Sequence, residues 1–191
     1  MTLPSAAPRE PSHRRVIDYE SYRRTDGLWD IEGTVRDTKA YAYYDLERGA
    51  LSPGEFVHDI SVRVTIDSDM TVVDIVSSMD AVPFNYCRGS GARLPVLVGA
   101  NLGRGWRKRL EQSLSRVLGC THMREMLLGV ATVAFQTLSA ERERRVGEVD
   151  PDPRKLVERP FYIGGCHSLT ERSEVVRKFY PQFAGDGGRK E

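Results

Sequence analysis

The chain has 191 residues, 40% of them hydrophobic, and its 28 Lys and Arg against 27 Asp and Glu leave a formal net charge of +1. That length and apolar content suit one ordinary domain with tails and a core of its own. The charge balance gives no general argument for nucleic acid, whose binding domains carry a basic excess. No apolar run at the start reads as an export signal or a membrane span, so the expectation is a cytoplasmic protein, with no membrane and no nucleic acid among its partners.

Residues 1–13 carry Pro4, Pro8 and Pro11 without an apolar run and read as a disordered tail. An α+β domain is expected over 14–146. Arg14 to Arg24 is polar and basic, with Val16, Ile17, Tyr19 and Tyr22, and suits an edge strand or an ordered arm. From Leu28 the pattern alternates: Trp29, Ile31, Gly33 and Val35 share one face, while Asp30, Glu32, Thr34 and Arg36 share the other. Gly33 within such a strand predicts a bulge or close approach by another backbone. Glu47 to Gly54 is a turn region.

The next strand alternates most cleanly, with Phe56, His58, Ile60, Val62, Val64 and Ile66 on one side and Asp59, Ser61, Arg63, Thr65 and Asp67 on the other. A turn at Asp67-Ser68-Asp69 and a third strand from Met70 to Ser78 complete a hairpin or meander. The loop from Asp80 to Gly91 carries Cys87.

The period then changes. Trp106, Leu110, Leu114 and Val117 mark an amphipathic helix over Gly105 to Leu118, with Gly119 as its stop. Met123, Met126, Leu127, Val130, Ala134 and Leu138 mark a longer helix that Thr121 would cap, ending in the charged run Glu141 to Arg145. Strands first and helices second predict an antiparallel sheet of three or more strands followed by two or more helices packed on one face. Residues 147–160, with three prolines, read as a linker. Residues 161–183, rich in Phe and Tyr, read as a segment docking back on the domain or on a second copy in a homodimer, and 184–191 as a disordered tail.

The candidate chemistry clusters at Gly119 to Glu125. Cys120 and His122 stand at a helix start, where backbone N–H groups favour a thiolate, and Glu125 follows three residues after the histidine. A buried inert thiol with a capping histidine is the competing reading. His58 lies in the apolar register of its strand, where a core histidine satisfied by one hydrogen bond is the plainer account; Asp59 points the other way unless a bulge re-aims it. Asp26, Asp30, Glu32 and Asp37, with Arg36 and Lys39, read first as a solvated strand face and second as a pocket-mouth acid or base. Any four of Cys87, Cys120, His122, Cys166, His167 and His58 would satisfy tetrahedral zinc or iron, and three would leave an open position. The glycines from Gly99 to Gly105 lack the Lys-Ser/Thr of a phosphate loop, and neither a Gly-x-Ser-x-Gly elbow nor a His-Glu-x-x-His motif occurs.

Asp26-Gly-Leu-Trp-Asp-Ile-Glu-Gly33, Asp37-Thr-Lys39, His58-Asp59, Thr65-Ile-Asp67, Gly119-Cys-Thr-His122, Cys166-His167 and Tyr180-Pro181 resemble the bacterial domain-of-unknown-function family 2889, over roughly Arg14 to Pro181. That resemblance implies no activity. At the level of fold, a meander, a loop cysteine and a Cys/His pair at a helix start are similar to the iron–sulfur scaffold of the NifU/IscU and SufE type. It implies Asp59 or His58, Cys87, Cys120 and His122 around a zinc ion or a cluster, although the scaffold's first cysteine is missing and Thr121 separates the Cys/His pair.

The expectation is a small cytoplasmic enzyme acting on a small organic metabolite, an acid or an aromatic. Its site comprises Cys87, Cys120, His122 and His58 as metal ligands, with zinc preferred over iron, and Cys120, Asp59 and Glu125 as the catalytic set. Cys166, His167, Asp37 and Lys39 are further candidates. The reaction is metal-assisted or thiolate-based. The alternative is a non-enzymatic metal-binding or iron–sulfur assembly protein.

Overall fold

The computed structural model describes residues 3–147 and 152–185, with the side chains of 142–147 excepted. The chain divides into two compact units, 1–136 and 137–191.

The first unit is built on six strands: β1 (His13–Arg23), β2 (Trp29–Lys39), β3 (Tyr43–Asp45), β4 (Gly49–Leu51), β5 (Phe56–Ile66) and β6 (Val72–Ala81). Four of them form an antiparallel sheet in the order β1-β2-β5-β6, and β3 and β4 make a separate small hairpin. Helices follow the strands, α1 (Trp106–Leu114) and α2 (Thr121–Gly147), so the α+β architecture with its antiparallel sheet is observed. No helix among the described residues is long and apolar enough to cross a membrane.

The alternation read from the sequence sets the core. Ile31 and Val35 of β2 and Ile60, Val62, Val64 and Ile66 of β5 are all buried. Two details depart from it. The β2–β5 register shifts between Asp37 and Thr38, skipping Val57, so Phe56 emerges exposed while Val57 is buried. Shifts against β6 at Asp59/Ile60 and Thr65/Ile66 leave Val72, Ile75 and Met79 buried while Val73 and Val76 are exposed. The turn after β5 is held by the Asp67 carboxylate, which accepts from the N–H groups of Asp69 and Thr71.

Strand β1 is the sheet's edge, and what pins it to the helix layer is Tyr19. Tyr19 pairs with Gly33 across the β1–β2 ladder, and its ring covers the space where a side chain at Gly33 would sit, 3.0 Å from an ideal Cβ. The close approach expected at Gly33 is therefore made by a ring rather than by a backbone. The Tyr19 hydroxyl donates to the Met126 carbonyl of α2 at 3.0 Å, and a Cβ on Gly129 would collide with it. Tyr19→Phe should cost about 1 kcal/mol, the worth of one such hydrogen bond. Gly129→Ala should cost about 2 kcal/mol despite alanine's better helix propensity, because the ring must leave its slot. Urea unfolding midpoints of the two variants check both values.

The helix boundaries differ from the sequence reading at Gly119. The first helix stops at Leu114, and Arg116–Leu118 forms a single 3₁₀ turn. Gly119 is extended, with φ −163°, and is not a left-handed stop. Its lack of a side chain matters for space, since an ideal Cβ would lie 3.1 Å from the Leu114 backbone. Helix α2 begins at Thr121, and the Cys120 carbonyl accepts from Arg124 N–H, so Cys120 rather than Thr121 holds the capping position. The stripe Met123, Met126, Leu127, Val130, Ala134 and Leu138 is buried throughout, and the Trp106 indole of α1 donates to the Leu127 carbonyl at 2.7 Å.

In the second unit, 3₁₀ turns at Pro153–Lys155 and His167–Leu169 precede α3 (Glu174–Phe179), which Ser173 caps by accepting from Val176 N–H. Tyr162 and Tyr180 meet edge to face with ring centroids 6.0 Å apart. Gln182 donates to the Pro153 and Leu156 carbonyls, so part of the segment read as a linker is hydrogen-bonded to the aromatic segment. Residues 148–151 and 186–191, within the expected linker and tail, lie outside the described residues.

Candidate functional site

Three strands deliver one row of side chains. Arg15 on β1, Asp37 on β2 and His58 on β5 are direct cross-strand partners. Asp37 keeps the parity of Trp29, Ile31, Gly33 and Val35, so it stands on the buried face and is only 2% exposed. The solvated-face reading therefore fails for this residue, and the reason is the period of two carried one step further.

The buried carboxylate is fully engaged. Arg15 grips it as a fork, with Nε 2.8 Å from Oδ1 and Nη2 2.9 Å from Oδ2. His13 Nε2 lies 2.9 Å from Oδ1, and His58 Nδ1 lies 3.0 Å from Oδ2. With the carboxylate ionised, both imidazoles are the donors. Burial alone would raise the Asp37 carboxyl, but the Arg15 fork and the His13 bond outweigh it and hold it at about 2, against an ordinary 3.8.

Helix α2 closes the cluster from above. His122, in its first turn, places Nε2 3.6 Å from Asp37 Oδ2, and its ring centroid lies 4.0 Å from that of His58. Burial lowers the pKa of both histidines; the neighbouring His122 lowers His58 further, and the Arg15 charge lowers His122 further. Both are therefore neutral at neutral pH. His58 offers a lone pair at Nδ1 once its proton moves to Nε2 and a cation takes the place of the Asp37 hydrogen bond, and His122 offers one at Nε2. One ligand atom from each of Asp37, His58 and His122 falls within 4.8 Å of the others. Glu125 binds the far side of Arg15, Nη1 to Oε2 at 2.7 Å. One guanidinium between two carboxylates gives the charged members of the cluster a net charge of −1, which favours a cation among the neutral imidazoles.

Cys120 stands beside this group, its Sγ 3.7 Å from His122 Nδ1. A pocket of about 970 Å³ opens next to the cluster, lined by His58 and Ile60 of β5, residues from Val82 to Arg93, and the chain from Val117 to His122. From Asn85 on, the middle stretch forms a 3₁₀ helix that carries Cys87 where a loop was expected. Thus His58, His122, Cys120 and Cys87 border one cavity, while the compact donor group is Asp37, His58 and His122.

The remaining candidates lie elsewhere. Asp59, expected to orient or to exchange protons beside His58, ion-pairs with Arg36 at 3.2 Å on the other face of the sheet, as strand alternation dictates. Lys39 lies over the Tyr41 ring. Cys166 is exposed in the second unit, where His167 opens a 3₁₀ turn. His13 and Arg15 were not among the candidates. His13 opens β1 where the sequence suggested the end of a tail, and nothing local marks Arg15 among the basic residues of that arm.

A family model described as a protein of unknown function, DUF2889, matches residues 13–136. The chain belongs to this family. The DUF2889 match begins at His13 itself and contains the entire cluster and pocket, whereas Cys166 and His167 fall beyond it. No curated protein matches the chain, and no solved structure matches it. The likeness to the NifU/IscU–SufE scaffold accordingly rests on the order of residues alone.

Proposed function

We propose that this DUF2889 chain is a metal-dependent enzyme that acts on a small organic molecule, with a divalent cation held by Asp37, His58 and His122. The observation that carries this reading is the convergence of one carboxylate oxygen and two neutral imidazole nitrogens at the edge of an apolar pocket. The Asp37 oxygen lies 3.0 Å from one nitrogen and 3.6 Å from the other, separations that suit two donors bound to one ion at about 2.1 Å each. Two histidines and a carboxylate leave coordination positions open and suit zinc or iron(II). A bound cation supplies Lewis acidity toward a substrate oxygen or a water.

The chain's own residues do the rest. Arg15 and His13 orient the Asp37 carboxylate, and the Cys120 sulfur stands where it can accept a hydrogen bond from the Nδ1–H of a His122 that ligates through Nε2. All three cysteines are free, which suits the reducing cytoplasm. Metal content of purified wild type, His122→Ala and Cys120→Ser decides the matter. About one ion per chain in wild type, its loss in His122→Ala and its retention with weakened affinity in Cys120→Ser are expected. Wild type without stoichiometric metal after purification under both aerobic and anaerobic conditions, and without uptake of zinc or iron(II), overturns the reading.

One observation favours a second reading. Cys120 Sγ, His122 and Asp37 stand in the order of a thiol, base and orienting carboxylate, with separations of 3.7 Å and 3.6 Å. Rapid, stoichiometric alkylation of Cys120 in a metal-free protein, slowed by His122→Ala, would support it.

A further inference from the structure

The geometry points to a substrate class and to the residue that selects it: the pocket takes a small organic anion with an apolar body, and Arg93 holds its carboxylate. This rests on reading the Asp37–His58–His122 cluster as the reactive centre. It adds a recognition site at another part of the same cavity wall.

The cavity's walls are mostly apolar, with Ile60, Val82, Pro83, Phe84, Val117 and Leu118 among them, and its volume falls in the range of small-ligand sites. Against that background its charges are one-sided. No Asp or Glu lines it, and Arg93 is the one permanently charged lining group. Arg93 is also held in place, since its Nε donates to the Ser113 carbonyl near the end of α1 at 3.1 Å. That bond uses one donor and leaves both Nη groups available. Among the described residues no carboxylate pairs with it, whereas Arg15, Arg24, Arg36 and Arg48 all have acidic partners. A guanidinium fixed at the stem and unpaired at the fork is matched in shape and charge by a carboxylate. An apolar wall around it rewards a ring or a branched chain rather than a sugar or a nucleotide.

The test uses the full chain, EDTA-treated and zinc-loaded, with benzoate and 3-phenylpropanoate as probes and their neutral amides as controls, titrated by ligand- and protein-observed NMR. In EDTA-treated wild type each acid should bind about tenfold more tightly than its amide, the worth of one charge-assisted contact. Arg93→Gln should abolish that preference, and Arg93→Lys should retain part of it. Arg93 is exposed, so neither variant threatens the fold. Equal binding of acid and amide in EDTA-treated wild type, or a preference that survives Arg93→Gln, overturns the assignment. A preference seen only with zinc, and indifferent to Arg93, overturns it while supporting the cation site. An Arg93-dependent preference in a protein that takes up no metal sustains this inference and sinks the metal reading instead.

Discussion

Asp37→Asn is expected to lose stoichiometric metal and, in the metal-free protein, about 2–3 kcal/mol of stability. Asp37 is the hub of four side chains, and it is almost wholly buried. The amide keeps the shape but removes the charge that the Arg15 fork was built to meet, and it turns one acceptor into a donor facing other donors. Removing one partner of a fully buried pair costs more than this, but Arg15 is one-third exposed and recovers some solvation. The pKa gives a consistent size: a carboxyl held at about 2 against an ordinary 3.8 carries about 2 kcal/mol of stability above pH 4. Urea unfolding in EDTA measures the stability term, and elemental analysis measures the metal. A variant as stable as wild type would mean that Asp37 is a spectator. His13→Ala, by contrast, removes one half-exposed donor and should cost less than 1 kcal/mol.

Acidification of the EDTA-treated protein should destabilise it in two stages. His58 and His122 are held below their ordinary 6.5, so the unfolded chain binds those protons more readily than the folded one. Their contribution is whole above pH 6.5 and is lost as the pH falls through their folded values. Asp37 follows, with a contribution that is whole above about pH 4 and is lost as the pH falls toward 2. Asp45, buried in the β3–β4 hairpin and hydrogen-bonded by Glu47 N–H, Arg48 N–H and the Arg48 side chain, is also held below the usual carboxylate range and adds to the second stage. Urea midpoints measured from pH 8 to pH 3 should therefore begin to fall below pH 6.5 and fall further below pH 4. His58→Ala with His122→Ala should flatten the first fall, and Asp37→Asn should shrink the second. A flat profile between pH 7 and 5 in wild type would show that the two imidazoles are not buried together as described.

The burial that these titrations sense was partly legible in the sequence. The alternation through Trp29, Ile31, Gly33 and Val35 assigns Asp37 to the buried face by counting two further, and an ionised residue on such a face needs partners. The same counting placed His58 correctly and put Asp59 on the opposite side. The start of α2 was visible in Gly119-Cys120-Thr121-His122, within one residue of where the helix begins. Arg15 was not legible, because its importance depends on strand register: it meets Asp37 across 22 residues of chain, and Asp37 meets His58 across 21. Register is set by how whole strands bury their faces together, and a single charged residue carries no local mark of it.

By itself the sequence determined the class of fold, the buried faces of β2 and β5, the buried stripe of α2 and the presence of a Cys/His pair at a helix start. These follow from periodicity and local backbone chemistry, which act over a few residues. Tertiary structure decided which of those side chains meet. It put Asp37 rather than a cysteine between His58 and His122, sent Asp59 to the far face, and set Tyr19 between Gly33 and Gly129 as the tie from sheet edge to helix. It also left Arg93 as the one permanent charge on an apolar wall. Those outcomes depend on strand register and on where α2 crosses the sheet, and both are fixed only when the whole core packs at once.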